Sequence, residues 1–103
     1  MENIKVVTIC GSLRFKKQMM EAAEKLELEK GYAVIQCVYF EGNDWQKYDI
    51  DADEFEKLHL KKIFISDAIY VVNVDGYVGE STRKEIEYAK KLNKEILSLE
   101  PLI

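Results

Sequence analysis

The chain alternates short apolar runs with stretches of helical spacing, and this alternation restricts its fold more than any other feature. Lys5 to Cys10 (K-V-V-T-I-C) is rich in β-branched residues and ends at Gly11-Ser12, the pattern of a buried strand followed by a turn. From Leu13 to Lys30 the residues Phe15, Met19, Ala22, Ala23 and Leu26 recur on one helical face, and Gly31 supplies a stop. Ala33 to Phe40 reads as a second strand, and Glu54 to Ser66 as a second helix with Phe55, Leu58 and Ile63 on one side. Ala68 to Val74 is the most strand-like run and is broken by Asp75-Gly76. Ser81 to Asn93 keeps Ile86, Ala89 and Leu92 in helical register, and Glu95 to Leu99 closes the series as a strand. The order βαβαβαβ forces parallel strands, and right-handed crossovers put helices on both faces of the sheet. The expectation is one α/β domain over residues 1–103, a flavodoxin-like or Rossmann-like three-layer sandwich. Its sheet should be mostly parallel, of four or five strands, in the order 2-1-3-4.

Composition narrows the function classes. Residues of the apolar class make up 48% and charged residues 33% of the 103, with no apolar run near the roughly 20 residues of a membrane span. A formal charge of −4 argues against a nucleic acid polymer as partner, since such binding rests on neutralising many phosphates. A small anionic ligand held by local groups stays compatible. The start of the chain lacks the basic, apolar and cleavage segments of a secretory signal, so a cytoplasmic location is expected. Cys10 and Cys37 sit in separate apolar runs, without disulfide density or the paired spacing of a zinc site, and read as buried thiols. Neither a metal nor a cofactor is expected. Asp44, Asp49, Asp51 and Asp53 lack the ordered spacing of a calcium loop and read as a solvated segment.

The topology says where a ligand should bind. The chain reverses direction across the sheet between strands one and three, which leaves a crevice at their carboxyl ends. The loops Gly11-Ser12-Leu13-Arg14 and Asp75 to Ser81 should therefore face each other. In the first, backbone N–H groups, the Ser12 hydroxyl and the Arg14 guanidinium suit a phosphate or sugar; a serine N-cap beside a solvated arginine explains the same residues. The loop is neither a G-x-G-x-x-G fingerprint nor a Walker loop. In the second, Thr82 and Glu85 have the spacing of a capping box, while a glutamate near a helix N-terminus at the crevice is also suited to attack a sugar carbon as a carboxylate.

The combination of C-G-S-L-R after strand one with D-G-Y-V-G-E-S-T-R-K-E-I-E-Y-A-K-K-L-N-K-E-I, Asp75 to Ile96, resembles the nucleoside 2-deoxyribosyltransferase superfamily. It also resembles the 2′-deoxynucleoside 5′-monophosphate N-hydrolases within it. The resemblance implies cleavage or transfer at the N-glycosidic bond of a nucleoside or nucleotide, with Glu85 as nucleophile and a covalent glycosyl ester as intermediate. It places Gly11, Ser12 and Arg14 on the sugar or 5′-phosphate side, with Gly79, Ser81 and Thr82 nearby as further contacts. It also implies an oligomer, and a homodimer is expected.

The chain departs from the family pattern at two places. Glu87 stands where relatives commonly have a small residue. Where relatives often supply an acidic residue from the helix before strand three, this chain has His59, which can exchange protons near neutral pH or be a simple packing residue. Asp75 and Asn73 are alternative groups for a ribose hydroxyl or the base, or serve only to close the turn. Tyr39, Phe40, Trp45 and Tyr48 can form a base-stacking wall or anchor a dimer. His59 and Glu87 favour the competing reading, a non-catalytic nucleotide-binding or sensing domain. A receiver-like signalling domain shares the element order but needs an acidic pair where Cys10-Gly11-Ser12 stands.

Overall fold

β1, Val6–Cys10, runs through the middle of the sheet and sets the arrangement of everything around it. In the computed structural model, which describes residues 3–40 and 44–102, it pairs in parallel with β2, Ala33–Ile35, on one side and β3, Ala68–Val71, on the other. β4, Glu95–Ser98, pairs in parallel with β3 and completes the order 2-1-3-4. The fold is the expected flavodoxin-like α/β sandwich, with four parallel strands.

The helices split between the two faces. α1, Lys16–Leu28, follows a 3-10 turn at Leu13–Phe15 and buries Met19, Ala22, Ala23 and Leu26 against Val7, Ile9, Ala68 and Val72. α2, Ala52–Phe64, and α3, Glu80–Lys91, lie side by side on the opposite face, where Ile63, Ile86 and Ala89 meet Cys10, Ile69 and Val71. Val7 and Ile9 thus face one layer and Cys10 the other, as the period-two alternation of a strand requires. Thr8, also on the α2 side, places its buried hydroxyl 2.6 Å from the Ser66 hydroxyl and donates to the Lys62 carbonyl at 3.1 Å. A polar residue in a central strand is tolerated here because its hydroxyl is hydrogen-bonded.

Several boundaries differ from the sequence reading. The second strand was expected to continue to Phe40, but it ends at Ile35, and residues 36–40 have no regular structure. The helix expected from Glu54 begins at Ala52, because Asp51 is its N-cap. The Asp51 carboxylate accepts from the Glu54 N–H at 2.8 Å, and the Glu54 carboxylate accepts in return from the Asp51 N–H. Asp51 is therefore a helix signal inside what reads as a solvated acidic stretch. Part of the loop expected from Glu41 to Asp53 lies outside the described residues; its remainder includes a 3-10 turn at Asp44–Lys47. Among the described residues no helix is long and apolar enough to cross a membrane.

Ile69 is fully buried at the centre of the α2/α3 layer. Ile69→Ala should cost about 2–5 kcal/mol, read from urea unfolding followed by far-UV circular dichroism.

Candidate active site

At the carboxyl end of β1 the backbone passes very close to β3. A Cβ on Gly11 would stand 3.2 Å from the Val72 carbonyl oxygen and 3.5 Å from the Met19 sulfur, so this position admits no side chain without displacing its neighbours. Ser12 then caps the short 3-10 turn, its hydroxyl accepting from the Arg14 N–H at 3.3 Å. The two crevice loops do meet. The Arg14 guanidinium lies 4.2 Å from the centre of the Tyr77 ring, and Phe15 packs edge-on against the same ring at 5.8 Å. The facing loop turns through Asp75 and Gly76, both with left-handed φ, at 56° and 79°.

Deeper in, three buried side chains from three elements converge. His59 of α2 places Nε2 3.5 Å from Glu85 Oε1 and 3.6 Å from the Cys10 sulfur. Glu85 comes from α3, and Cys10 is the last residue of β1. The junction exists because α2 and α3 share one face of the sheet. His59 lies one turn before Ile63, and Glu85 next to Ile86, so the apolar contacts that dock the helices carry both polar groups inward.

This junction forms part of the wall of a cavity of about 300 Å³. Ile9, Gly11 and Leu13 bound it on the β1 side, and Cys37, Val38 and Phe40 from the segment after β2 line it as well. Trp45, Ala52, Phe55, Glu56, His59, Ser81 and Glu85 complete it. The size is at the lower end of the range for small-molecule sites, and an apolar wall with a few convergent polar groups is their usual character. Phe40 packs against Phe55 at 5.5 Å and Trp45 at 6.5 Å, so these rings form a continuous aromatic side.

Of the residues singled out by sequence analysis, Gly11, His59, Ser81 and Glu85 line this cavity together. Among the described residues, Ser12, Arg14, Asp75, Gly79 and Thr82 stand outside its lining. Thr82 is buried within α3, and Gly79 is the helix N-cap with no side chain to bond. The expected Thr82–Glu85 capping box is therefore absent: α3 starts at Glu80, which puts Glu85 in its second turn. The helix dipole, whose effect fades within the first turn, is not what holds that carboxylate. Asn73 stands outside this lining too, and its side chain is hydrogen-bonded to the backbone of Glu100. Its amide donates to the Glu100 carbonyl at 3.0 Å and accepts from the Glu100 N–H at 2.9 Å. Asp75 donates its backbone N–H to the Glu100 carboxylate and forms part of the turn. Tyr39 is partly buried against the α1 layer, and Tyr48 is exposed, so the aromatic wall is Phe40, Trp45 and Phe55. Glu87 is exposed on the outer side of α3.

Sequence analysis missed Glu56. It stands three residues before His59 on α2, a spacing that shares a helix face, and that spacing was the available signal. Burial first, then the neighbouring Glu85 charge, raise the pKa of Glu56, while His59 opposes the shift. The two cysteines follow the same trend. Burial above all, then the Glu85 carboxylate, push the Cys10 thiol well up, and burial raises the Cys37 thiol. The cavity thus favours the neutral forms of the acids around Glu85.

No family model matches the chain, and no curated protein matches it. Among solved structures it resembles a 2-desoxiribosyltransferase from Leishmania mexicana, with a TM-score of 0.60 at 20% identity. The match covers 91% of this chain and 63% of that one, so the chain spans less than two thirds of that protein's length. The likeness confirms the fold.

The raised Glu56 pKa fixes the sign of a stability effect. The folded protein holds this proton more tightly than the unfolded chain, so stability is lost as pH rises from the ordinary carboxylate range through the raised folded value, and the loss persists above it. Glu56→Gln removes that cost. The variant should melt above the native protein at about pH 7, and the gap should close at about pH 3, where the carboxyl is largely protonated in both states.

Proposed function

We propose that this protein cleaves or transfers at the N-glycosidic bond of a nucleoside or nucleoside 5′-monophosphate, with Glu85 as nucleophile and Glu56 as proton donor. The observation that carries this reading is the pair of carboxyl groups on one aromatic-lined cavity, Glu85 beside His59 and Glu56 driven toward its protonated form. Two carboxyl groups whose surroundings differ can divide nucleophile from acid. The shared fold with a protein named as a deoxyribosyltransferase, and the motif resemblance around Glu85, point to the same chemistry.

In the first step a Glu85 carboxylate oxygen bonds to C1′ while the bond from C1′ to the base nitrogen breaks. The electron pair leaves with the base, which takes the Glu56 proton. In the second step a water or an incoming base attacks C1′, gives its proton to Glu56, and releases Glu85 as a carboxylate. This is the two-step logic of a retaining glycosidase. His59 Nε2 stands 3.5 Å from Glu85 Oε1, within ion-pair reach, and is placed to orient the carboxylate. The flat faces of Phe40, Trp45 and Phe55 suit a nucleobase. Arg14, on the loop that bounds the cavity through Gly11 and Leu13, is suited to a 5′-phosphate at the rim.

Base release from a panel of nucleosides and 5′-monophosphates, with and without a second base, tests the reading. Glu85→Ala should abolish release, and Glu56→Gln should lower kcat by about 10²–10⁴-fold. An N7-methylated purine nucleoside, whose base leaves without taking a proton, should lose far less in Glu56→Gln. Dependence on the added base identifies a transferase, and release into water a hydrolase. Absence of release from every substrate by folded native protein overturns the reading.

A further inference from the structure

Cys10, His59 and Glu85 supply a sulfur, an imidazole nitrogen and a carboxylate oxygen, all within 4.8 Å of one another. We propose that these three side chains form a binding site for a divalent transition-metal ion of the Zn²⁺ class, and that occupancy of this site blocks Glu85. The consequence for Glu85 rests on the functional reading above; the metal site does not.

The spacing supports a shared ion. A tetrahedral zinc has Zn–S of about 2.3 Å and Zn–N and Zn–O of about 2.0–2.1 Å, which separates its ligand atoms by about 3.3–3.6 Å. The observed separations are 3.5 Å from His59 to Glu85 and 3.6 Å from Cys10 to His59. A direct N–H···O hydrogen bond is shorter, about 2.7–3.2 Å, so the His59–Glu85 gap suits two ligands of one ion better than a donor and acceptor in contact.

The donor set has the right chemistry. Thiolate and imidazole prefer zinc and its neighbours over magnesium or calcium, which take all-oxygen sites. Charge also balances: a thiolate and a carboxylate neutralise the two positive charges in a buried setting where a net charge is costly. Binding displaces one proton, from the Cys10 thiol, to solvent. His59 coordinates through Nε2 as neutral imidazole, and no electron changes hands.

Three protein ligands leave the fourth position of a tetrahedral ion open. His59 and Glu85 both line the cavity, which gives the ion an entry path and a place for that fourth ligand. An ion held there occupies the Glu85 oxygen that the glycosidic reaction requires. The bound state is therefore the inactive one, and chelation reactivates it. Because a thiol must lose its proton to bind the ion, metal affinity should rise with pH.

Titration of metal-free protein with Co²⁺, followed by absorption, tests this. One equivalent should produce the visible bands of a tetrahedral ion and a near-ultraviolet sulfur-to-cobalt charge-transfer band. Zn²⁺ should displace the Co²⁺ and abolish both. Cys10→Ser should lose the charge-transfer band, while Cys37→Ser should keep it. His59→Gln leaves the thiol intact and should still weaken binding at least tenfold, which guards against misfolding of the cysteine variant. No charge-transfer band in folded native protein, or a band that survives Cys10→Ser, overturns the site. Base release by chelated protein that added Zn²⁺ leaves unchanged overturns the inhibition. A cobalt spectrum without base release from chelated protein upholds the metal site and instead refutes the glycosidic reading.

Discussion

The pairing of β1 with β3 governs the carboxyl end of the sheet. Their register, from Val7 opposite Ala68 to Cys10 opposite Val71, brings the turn after β1 and the turn after β3 to the same level. It also leaves so little room at Gly11 that the backbone there lies almost against the Val72 carbonyl. Because both strands are covered on both faces, neither can slide without moving a whole set of side chains from one layer to the other. The end of β1 therefore supplies a fixed side of the cavity, to which α2, α3 and residues 37–40 add further walls.

The electrostatics of that cavity follow from the same packing. α2 and α3 are held to the sheet by Ile63, Ile86 and Ala89, and the neighbouring positions carry His59 and Glu85 into a region with little water. A carboxylate in such a place influences every group near it. Glu56 and Cys10 are both shifted toward their protonated forms, with burial the larger cause and Glu85 the next. Glu56 stands on one side of this carboxylate, and His59 and Cys10 on the other, and the same atoms carry both the proposed glycosidic reaction and the proposed metal site.

Much of the fold was legible in the residue pattern. The strands Val6–Cys10 and Ala68–Val71 are covered on both faces, which produces largely apolar runs, and Met19, Ala22, Ala23 and Leu26 repeat with clear helical spacing. The errors fell where a local signal was read without its tertiary setting. Thr82 and Glu85 have capping-box spacing, but α3 begins one turn earlier and turns both side chains inward. Asp51 and Glu54 make a real capping box inside a run of acidic residues that looked merely solvated. The largely apolar residues 36–40 resemble a strand, but Cys37, Val38 and Phe40 line the cavity and none of the five joins the sheet.

The sequence alone determined the element order, the parallel sheet, the two crevice loops and the prominence of Glu85, because each depends on periodicity or on a motif contiguous in the chain. Only the tertiary structure decided that Glu85 and Cys10 both meet His59, that Glu56 shares the cavity of Glu85, and that Asn73 is committed to Glu100. Those contacts join residues tens of positions apart. Which of two outward or inward orientations each adopts depends on how two helices dock on a twisted sheet, a property of the packed whole that no local pattern encodes.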